Sequence, residues 1–167
     1  MDLKGKTAVV TGGGRDIGRA CVMALANAGA NVAINYFSSS AGAESAVSEI
    51  KAAGGSAFAL QGDMTNEDDV AKLVDAAVSE FGGIDVVVTV SGGLISRKTI
   101  AEMSVEHWQR VFDLNTTSAF MTIKAALPHI RKGGSIVNLA SQAGRDGGGG
   151  GAIAYASSKG AVMTMTR

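Results

Sequence analysis

Tyr155 and Lys159 stand four residues apart in the run Tyr155-Ala156-Ser157-Ser158-Lys159, with Ser141 shortly upstream and Asn115 further back. On a helix, residues four apart share one face, one turn from each other. A phenol held beside an ammonium can give and take a proton near neutral pH. Free tyrosine titrates at about 10, so roughly one molecule in a thousand is phenolate at pH 7. A fixed neighbouring cation lowers that value, and making the phenol ten times more acidic takes about 1.4 kcal/mol of such attraction. The pair alone says little, since both residue types commonly occupy exposed helix faces. Its meaning depends on the elements that would position it.

The 167-residue chain suits a single domain, 1–167, with a sizeable core. Lys plus Arg equals Asp plus Glu at 15 each, which leaves no excess charge to suggest nucleic acid or an anionic membrane. One cysteine, Cys21, excludes an internal disulfide framework, and with only two histidines a Cys/His metal site is not expected. The opening Met1-Asp2-Leu3-Lys4-Gly5-Lys6 leads into an apolar run too brief for a signal or membrane segment. A soluble cytoplasmic protein is the expectation. The unusual count is 23 glycines against one proline, Pro128. Glycine allows tight turns and close backbone approach to ligands, so the placement of those residues matters.

Short β-branched runs alternate with longer helical stretches. Strands are predicted at Thr7–Thr11, Asn31–Asn35, Ser56–Leu60, Ile84–Val90 and Ser135–Ala140. Helices are predicted after the first glycine cluster through about Asn27, from Ala41 to Ala53 and from Asn66 to Phe81. The third of these is capped by Asn66 and stopped by Gly82-Gly83. A long helical region follows over Val105–Ile130, and a last helix begins near Ala154 and is still running at Arg167. Ile84–Val90, the longest apolar strand, is expected to be central and covered on both faces. Such alternation makes an α/β fold, a doubly wound parallel sheet with right-handed crossovers. Gly147–Gly151 has the composition of a flexible loop.

Thr11-Gly12-Gly13-Gly14-Arg15-Asp16-Ile17-Gly18 falls between the first strand and the first helix, where a nucleotide-binding fold places its phosphate loop. Glycines let the backbone approach a pyrophosphate, and the helix N-terminus supplies amide donors and partial positive charge. A glycine-rich turn without a ligand is the plain alternative, and the strand–turn–helix setting favours the phosphate loop.

The segment resembles the Thr-Gly-x-x-x-Gly-x-Gly loop of the short-chain dehydrogenase/reductase family, and further motifs follow in that family's order along the whole chain. Within the family the chain resembles the 3-oxoacyl-carrier-protein reductase branch. Asp63-Met64 looks like the pair that contacts adenine, and Val90-Ser91-Gly92-Gly93 stands where the family has Asn-Asn-Ala-Gly. The resemblance implies a Rossmann-like sheet of order 3-2-1-4-5 that lacks the family's last strands. It also implies a cofactor site of Gly12, Arg15, Asp16, Ile17, Gly18, Tyr36, Asp63, Met64, Ser91 and Gly92, together with Tyr155 and Lys159. Two positions depart from the pattern. Asp16 replaces the middle glycine, where it could cap the helix but would repel a pyrophosphate unless it points outward. Val90 replaces a structural asparagine, so local hydrogen bonding there must differ.

An NAD site needs an acid about 20 residues past the glycine loop for the ribose 2′-hydroxyl. Here the second strand runs into Asn35-Tyr36-Phe37-Ser38-Ser39-Ser40, with no acid before Glu44. Arg15 is a cation at a helix start, where the dipole disfavours it and a 2′-phosphate would compensate it. NADP is therefore expected over NAD.

By resemblance, Tyr155 is the acid/base that protonates a carbonyl oxygen while nicotinamide delivers hydride. Lys159 would lower the tyrosine pKa and hold the nicotinamide ribose, Ser141 would hold the substrate oxygen, and Asn115 would position a water linking Lys159 to solvent. The flexible glycine run between Ser141 and Tyr155 would loosen their mutual placement. His107, His129, Trp108 and Cys21 have no partners at catalytic spacing. The family's chains run longer, which implies an open edge on the fifth strand and a cofactor-binding and catalytic portion of a longer reductase, or a truncated product. The expected activity is NADP(H)-dependent reduction of a small-molecule carbonyl or oxidation of an alcohol, by a dimer or tetramer in the full-length form. The competing reading is a nucleotide-binding member without turnover, acting as a regulator or oligomer partner.

Overall fold

The computed structural model describes residues 2–167. Five strands form one sheet in the order β3-β2-β1-β4-β5, every pairing parallel. The strands are β1 Thr7–Thr11, β2 Asn31–Tyr36, β3 Ala57–Gln61, β4 Ile84–Thr89 and β5 Ile130–Asn138. The helices are α1 Asp16–Asn27, α2 Ser40–Ala52, α3 Glu67–Phe81, α4 Val105–Phe112, α5 Ser118–Ala126, α6 Ala143–Asp146 and α7 Ile153–Met165. The chain winds outward from β1 to β3, then crosses back to β4. That reversal places a switch point between β1 and β4, at the carboxyl ends of the strands.

All residues of β1 are buried, because helices cover both faces of the sheet. Alternate side chains divide between two cores. Ala8 and Val10 pack with Val22, Val32, Ile34 and Ala46 under α1 and α2, while Val9 packs with Leu73, Val74, Val87 and Met121 under α3 and α5. Each fully buried Val, Leu or Ile contributes about 1.5–3 kcal/mol. β4, with neighbours on both sides, is buried on both faces as its composition predicts. The α3 ends also follow the sequence. Asn66 accepts hydrogen bonds from the amides of Asp68 and Asp69, and Gly82 closes the helix at φ 75°.

The region read as one helix over Val105–Ile130 is divided. A π-helical turn, Asp113–Thr117, separates α4 from α5, and Pro128 sits in a 3₁₀ turn, Leu127–His129. Proline has no N–H and its ring clashes with a preceding helical turn, so the chain enters β5 already at Ile130 and leaves it at Asn138. Register with β4 shifts on the way, Ile84 facing Ile130 but Val86 facing Ser135. A bulge around Gly133, at φ 84°, takes up the difference. β4 stops at Thr89 because the Val90 amide turns to the Thr11 hydroxyl, 3.0 Å away. α7 ends at Met165, short of Arg167, and Thr166 bonds back to the Val162 carbonyl. β5 pairs with β4 alone among the described residues, and Val137 on it is 54% exposed.

At the opposite end of the sheet, Asp85 fastens three strands. Its buried carboxylate accepts from the Thr7 amide at 3.0 Å, from Lys6 Nζ at 3.1 Å and from Arg131 Nη1 at 2.6 Å. Burial alone would push its pKa up, but those three donors outweigh it and hold the carboxyl below its usual range. The stabilisation is therefore present above the ordinary carboxylate range and lost as pH falls through the lowered folded value. Among the described residues no helix is long and apolar enough to cross a membrane, and no cluster of His, Cys, Asp or Glu could hold a metal ion.

Candidate active site

The glycine turn crosses from β1 to α1 at the switch point and is braced from three sides. The Gly12 amide donates to Asn35 Oδ1 at 3.2 Å, and the Gly13 amide donates to the Asn35 carbonyl at 2.8 Å. Asn35 Nδ2 in turn donates to the carbonyls of Gly62 at 2.9 Å and Tyr36 at 3.3 Å. One side chain, 2% exposed, thus joins the glycine turn to the ends of β2 and β3. Thr11 Oγ1 accepts from the amides of Val90 and Ser91 at 3.0 and 3.2 Å, tying the turn to the segment after β4. Both bonds use backbone amides, so valine at position 90 leaves them intact. Sequence reasoning missed Thr11 and Asn35 as site residues. A polar side chain ending each of two apolar strands is the signal that could have found them.

Asp16 does not cap α1. Arg15 occupies the cap position in extended backbone with no side-chain cap bond, and Asp16 follows in the left-handed region at φ 46°. A left-handed residue at this point suits glycine, and Asp tolerates it better than most. The Asp16 carboxylate points outward, 80% exposed and 3.7 Å from Arg15 Nε. At the other end of the turn, a Cβ on Gly18 would run into the Gly12 carbonyl, so the helix starts against bare backbone.

A groove of about 660 Å³ lies over these strand ends. Gly12, Arg15, Asp16, Ile17 and Gly18 line it from the turn, Tyr36 from β2, Asp63 and Met64 after β3, and Ser91 and Gly92 after β4. The Asp63 carboxylate is held by its own turn, accepting from the Thr65 amide at 2.9 Å and the Thr65 hydroxyl at 2.8 Å. The volume is in the range of sites for cofactor-sized ligands.

Lys159 lies under the wall of this groove. It is 3% exposed, and its Nζ donates to the carbonyl of Leu139, a groove residue, at 2.7 Å. Burial pushes its pKa down to about 8. A lysine normally titrates near 10.4, so the folded chain gives up this proton first. The cost of burying the cation is carried in full below about pH 8 and fades as pH rises towards the unfolded value. A Cβ on Gly92 would stand 2.7 Å from Asn115 Oδ1 and 3.1 Å from Lys159 Nζ. Glycine therefore leaves room for both side chains.

Asn115 sits in the π turn and is almost wholly committed to the protein. Its Nδ2 donates to the Gly93 and Val111 carbonyls at 2.9 and 2.8 Å, and its Oδ1 accepts from the Gly93 amide at 2.9 Å. π turns inside helices are frequent at functional sites, and the sequence gives no sign of this one. The same turn fastens α7, Thr116 Oγ1 donating to the Ser158 carbonyl at 3.0 Å.

Ser141 and Tyr155 are placed differently. Ser141 Oγ accepts from the Ala143 amide at 3.2 Å at the start of α6, which leaves its own proton free to donate. Tyr155 is half-buried on α7, one turn before Lys159. Neither residue lines the groove, and no hydrogen bond joins them among the described residues. The Gly147–Gly151 run between them is not free, contrary to its composition. Arg97 Nη1 donates to the carbonyls of Gly150 and Gly148 at 2.7 and 3.3 Å, and the Lys98 amide donates to the Gly151 carbonyl at 2.9 Å.

A family model for short chain dehydrogenases matches residues 6–167. A probable tetrahydroxynaphthalene reductase of Zymoseptoria tritici is 41% identical over 165 residues, which are 99% of this chain and 61% of that protein. Among solved structures, a blue fluorescent protein from a metagenomic library, in complex with NADPH, superposes with a TM-score of 0.94 at 35% identity, covering 99% of this chain and 67% of that one. An NADH-dependent reductase complexed with NAD superposes with a TM-score of 0.91 at 34% identity, covering 98% and 70%. The chain spans about six tenths of the length of the curated relatives it matches.

Proposed function

The chain belongs to the short chain dehydrogenase family, and on that premise we propose that it transfers hydride between NADP(H) and a carbonyl or secondary alcohol, with Tyr155 as acid/base. The residues present fit a dinucleotide. Bare α-carbons at Gly12 and Gly18 keep the turn close to the groove, and the N-terminus of α1 opens onto it, an arrangement suited to phosphate. Arg15, Ser38 and Ser39 line the same groove beside Tyr36, and no carboxylate stands at the end of β2 to receive a 2′-hydroxyl. That favours NADP over NAD, while the structural neighbours include complexes with each.

Bound nicotinamide supplies or accepts the hydride. The chain's own residues handle the proton and the oxygen. Tyr155 gives its phenolic proton to the substrate oxygen during reduction and recovers one afterwards. Ser141, with its hydroxyl proton uncommitted, donates to the same oxygen as charge develops. Lys159 holds a positive charge in a dry position one turn from Tyr155. Asn115 keeps the segment after β4 in place and has one Oδ1 lone pair left for a water leading to Lys159. Exposed apolar side chains on α4 and α5 and in the turn that follows, Trp108, Phe120 and Leu127 among them, support a homo-oligomer.

The observation that carries the reading is the buried Lys159 ammonium fastened at the groove wall one turn from Tyr155. No ordinary surface helix buries a lysine in this way. Oxidation of NADPH against a panel of carbonyls tests it, with cofactor affinity followed by Trp108 fluorescence. Tyr155→Phe should lower turnover by at least about 10²-fold with little change in NADPH affinity. A Tyr155→Phe protein that still turns over carbonyls would sink the assignment. Binding without turnover in the unmodified protein would instead favour a regulatory nucleotide-binding role.

A further inference from the structure

We propose that Arg97 is a positioning residue that latches the Gly147–Gly151 run, and through it sets the first turn of α7 and the phenol of Tyr155. The proposal rests on the reading of Tyr155 as acid/base. It begins from how little else holds that run. Gly147, Gly149 and Gly150 have nothing within 4 Å of where a side chain would start, so packing cannot place them. Glycine loses more conformational freedom on ordering than any other residue, and here five occur in succession. The local bonds, such as Gly147 amide to Ala143 carbonyl and Ala152 amide to Gly149 carbonyl, only curl the run on itself.

Among the described residues, the bonds that reach it from elsewhere in the chain come from two consecutive residues. Arg97 bridges the Gly148 and Gly150 carbonyls with one guanidinium nitrogen, and the Lys98 amide takes Gly151. The backbones approach closely there, a Cβ on Gly151 lying 3.0 Å from Arg97 Cβ and 3.1 Å from the Lys98 amide nitrogen. Arg97 belongs to the segment after β4 that also supplies Ser91, Gly92 and Ile95 to the groove. The latch therefore ties the catalytic helix to the cofactor side of the site.

The two ends of α7 are held unequally. Both halves are buried, Ala152, Ala154 and Ala156 as well as Ser158 and Lys159. The side-chain bonds to other elements fall on the later half, Thr116 to the Ser158 carbonyl and Lys159 to the Leu139 carbonyl. Its start has Ala152 at the cap with no side-chain cap bond, so the run before it decides where the first turn lies. Tyr155 stands on that less secured side. A swing of the first turn would move the phenol relative to the fixed ammonium, and misplacement on the ångström scale is costly to a reaction step. Nη1 alone, with its two N–H groups, serves both carbonyls, so a lysine ammonium with three donors on one nitrogen should replace it in part.

The test uses the protein carrying 3-fluorotyrosine. The fluorine resonances of Tyr36 and Tyr155, the two tyrosines in these 167 residues, are assigned by Tyr36→Phe and Tyr155→Phe. Arg97 is exposed, and its variants should fold. Arg97→Ala should shift or broaden the Tyr155 resonance and leave that of Tyr36 in place. Amide exchange over residues 147–156 should rise at least about tenfold, since two hydrogen bonds to a charged group are lost. The kcat should fall about tenfold at unchanged NADPH affinity, and Arg97→Lys should recover part of each effect. An unmoved Tyr155 resonance or unchanged exchange in Arg97→Ala overturns the proposal, as does a moved resonance with full kcat. If the unmodified protein turns over no carbonyl while resonance and exchange respond, the hydride-transfer reading falls and the latch stands.

Discussion

Two glycine-rich segments, Gly12–Gly18 and Gly147–Gly151, flank the site and use the same residue for opposite reasons. In the first, glycine is required by what surrounds it. A Cβ on Gly13 would lie 2.7 Å from Ile34 Cγ2, one on Gly14 would lie 2.7 Å from the Ser39 carbonyl oxygen, and one on Gly18 would collide with the Gly12 carbonyl. Buried side chains, Asn35 and Thr11, then bond the turn to three strands. In the second, Gly149 and Gly150 face open space, and the run is held from outside by an exposed arginine and one neighbouring amide. A segment can thus be rich in glycine because the fold has no room, or because the chain there has little to pack against. The first makes a rigid floor for a ligand. The second makes a joint that depends on its fastening.

Substitutions at matched positions test that contrast. Gly18→Ala should have the largest effect, costing roughly 3 kcal/mol because backbone rather than a movable side chain stands in the way. Thermal unfolding would show it, and dinucleotide binding should be lost with it. A Gly18→Ala protein of normal stability would mean that the first turn is looser than its contacts indicate. Asp16→Gly should act in the other direction. Removing a side chain from a left-handed position relieves strain of about 1 kcal/mol, against a smaller loss at the helix start. A higher denaturant midpoint at unchanged slope is the expected result, and a lower one would show that the carboxylate's attraction to the helix N-terminus dominates. Gly150→Ala should change least, within about 0.5 kcal/mol and upward, since a methyl group there meets nothing and the unfolded chain loses freedom. Calorimetry detecting a large destabilisation at Gly150 would erase the distinction between the two runs.

The readability of the site from sequence divides along the same line. The glycine turn announces itself, because Thr11 through Gly18 lies between a β-branched run and a helix, and such a turn has few uses. The cap of α3 at Asn66 and its stop at Gly82 are equally local and equally legible. Asp16 is visible as an oddity, but whether it caps or strains the helix depends on a backbone angle that no neighbouring residue dictates. The stretch over 105–130 reads as one long helix because no Gly or Pro interrupts it before Pro128, and the weak helix formers Asn115 to Ser118 do not by themselves break a helix. The π turn that interrupts it exists where Asn115 bonds to Gly93, 22 residues earlier. The Gly147–Gly151 run looks free in the sequence because its partner, Arg97, lies 51 and 53 residues away from the carbonyls it holds.

The sequence by itself determined the alternation of strands and helices, the doubly wound parallel sheet, the position of the glycine turn and the shared face of Tyr155 and Lys159. Those follow from periodicity, caps and turn residues, which act over a few positions and leave their mark in a short window. The tertiary structure alone decided that Lys159 is buried against Leu139, that Asn35 braces the glycine turn, that Asp85 clasps Lys6 and Arg131, and that Arg97 holds the run before α7. Each of those joins groups far apart in the chain. Polar side chains of that kind acquire a role only when folding removes water and supplies a partner.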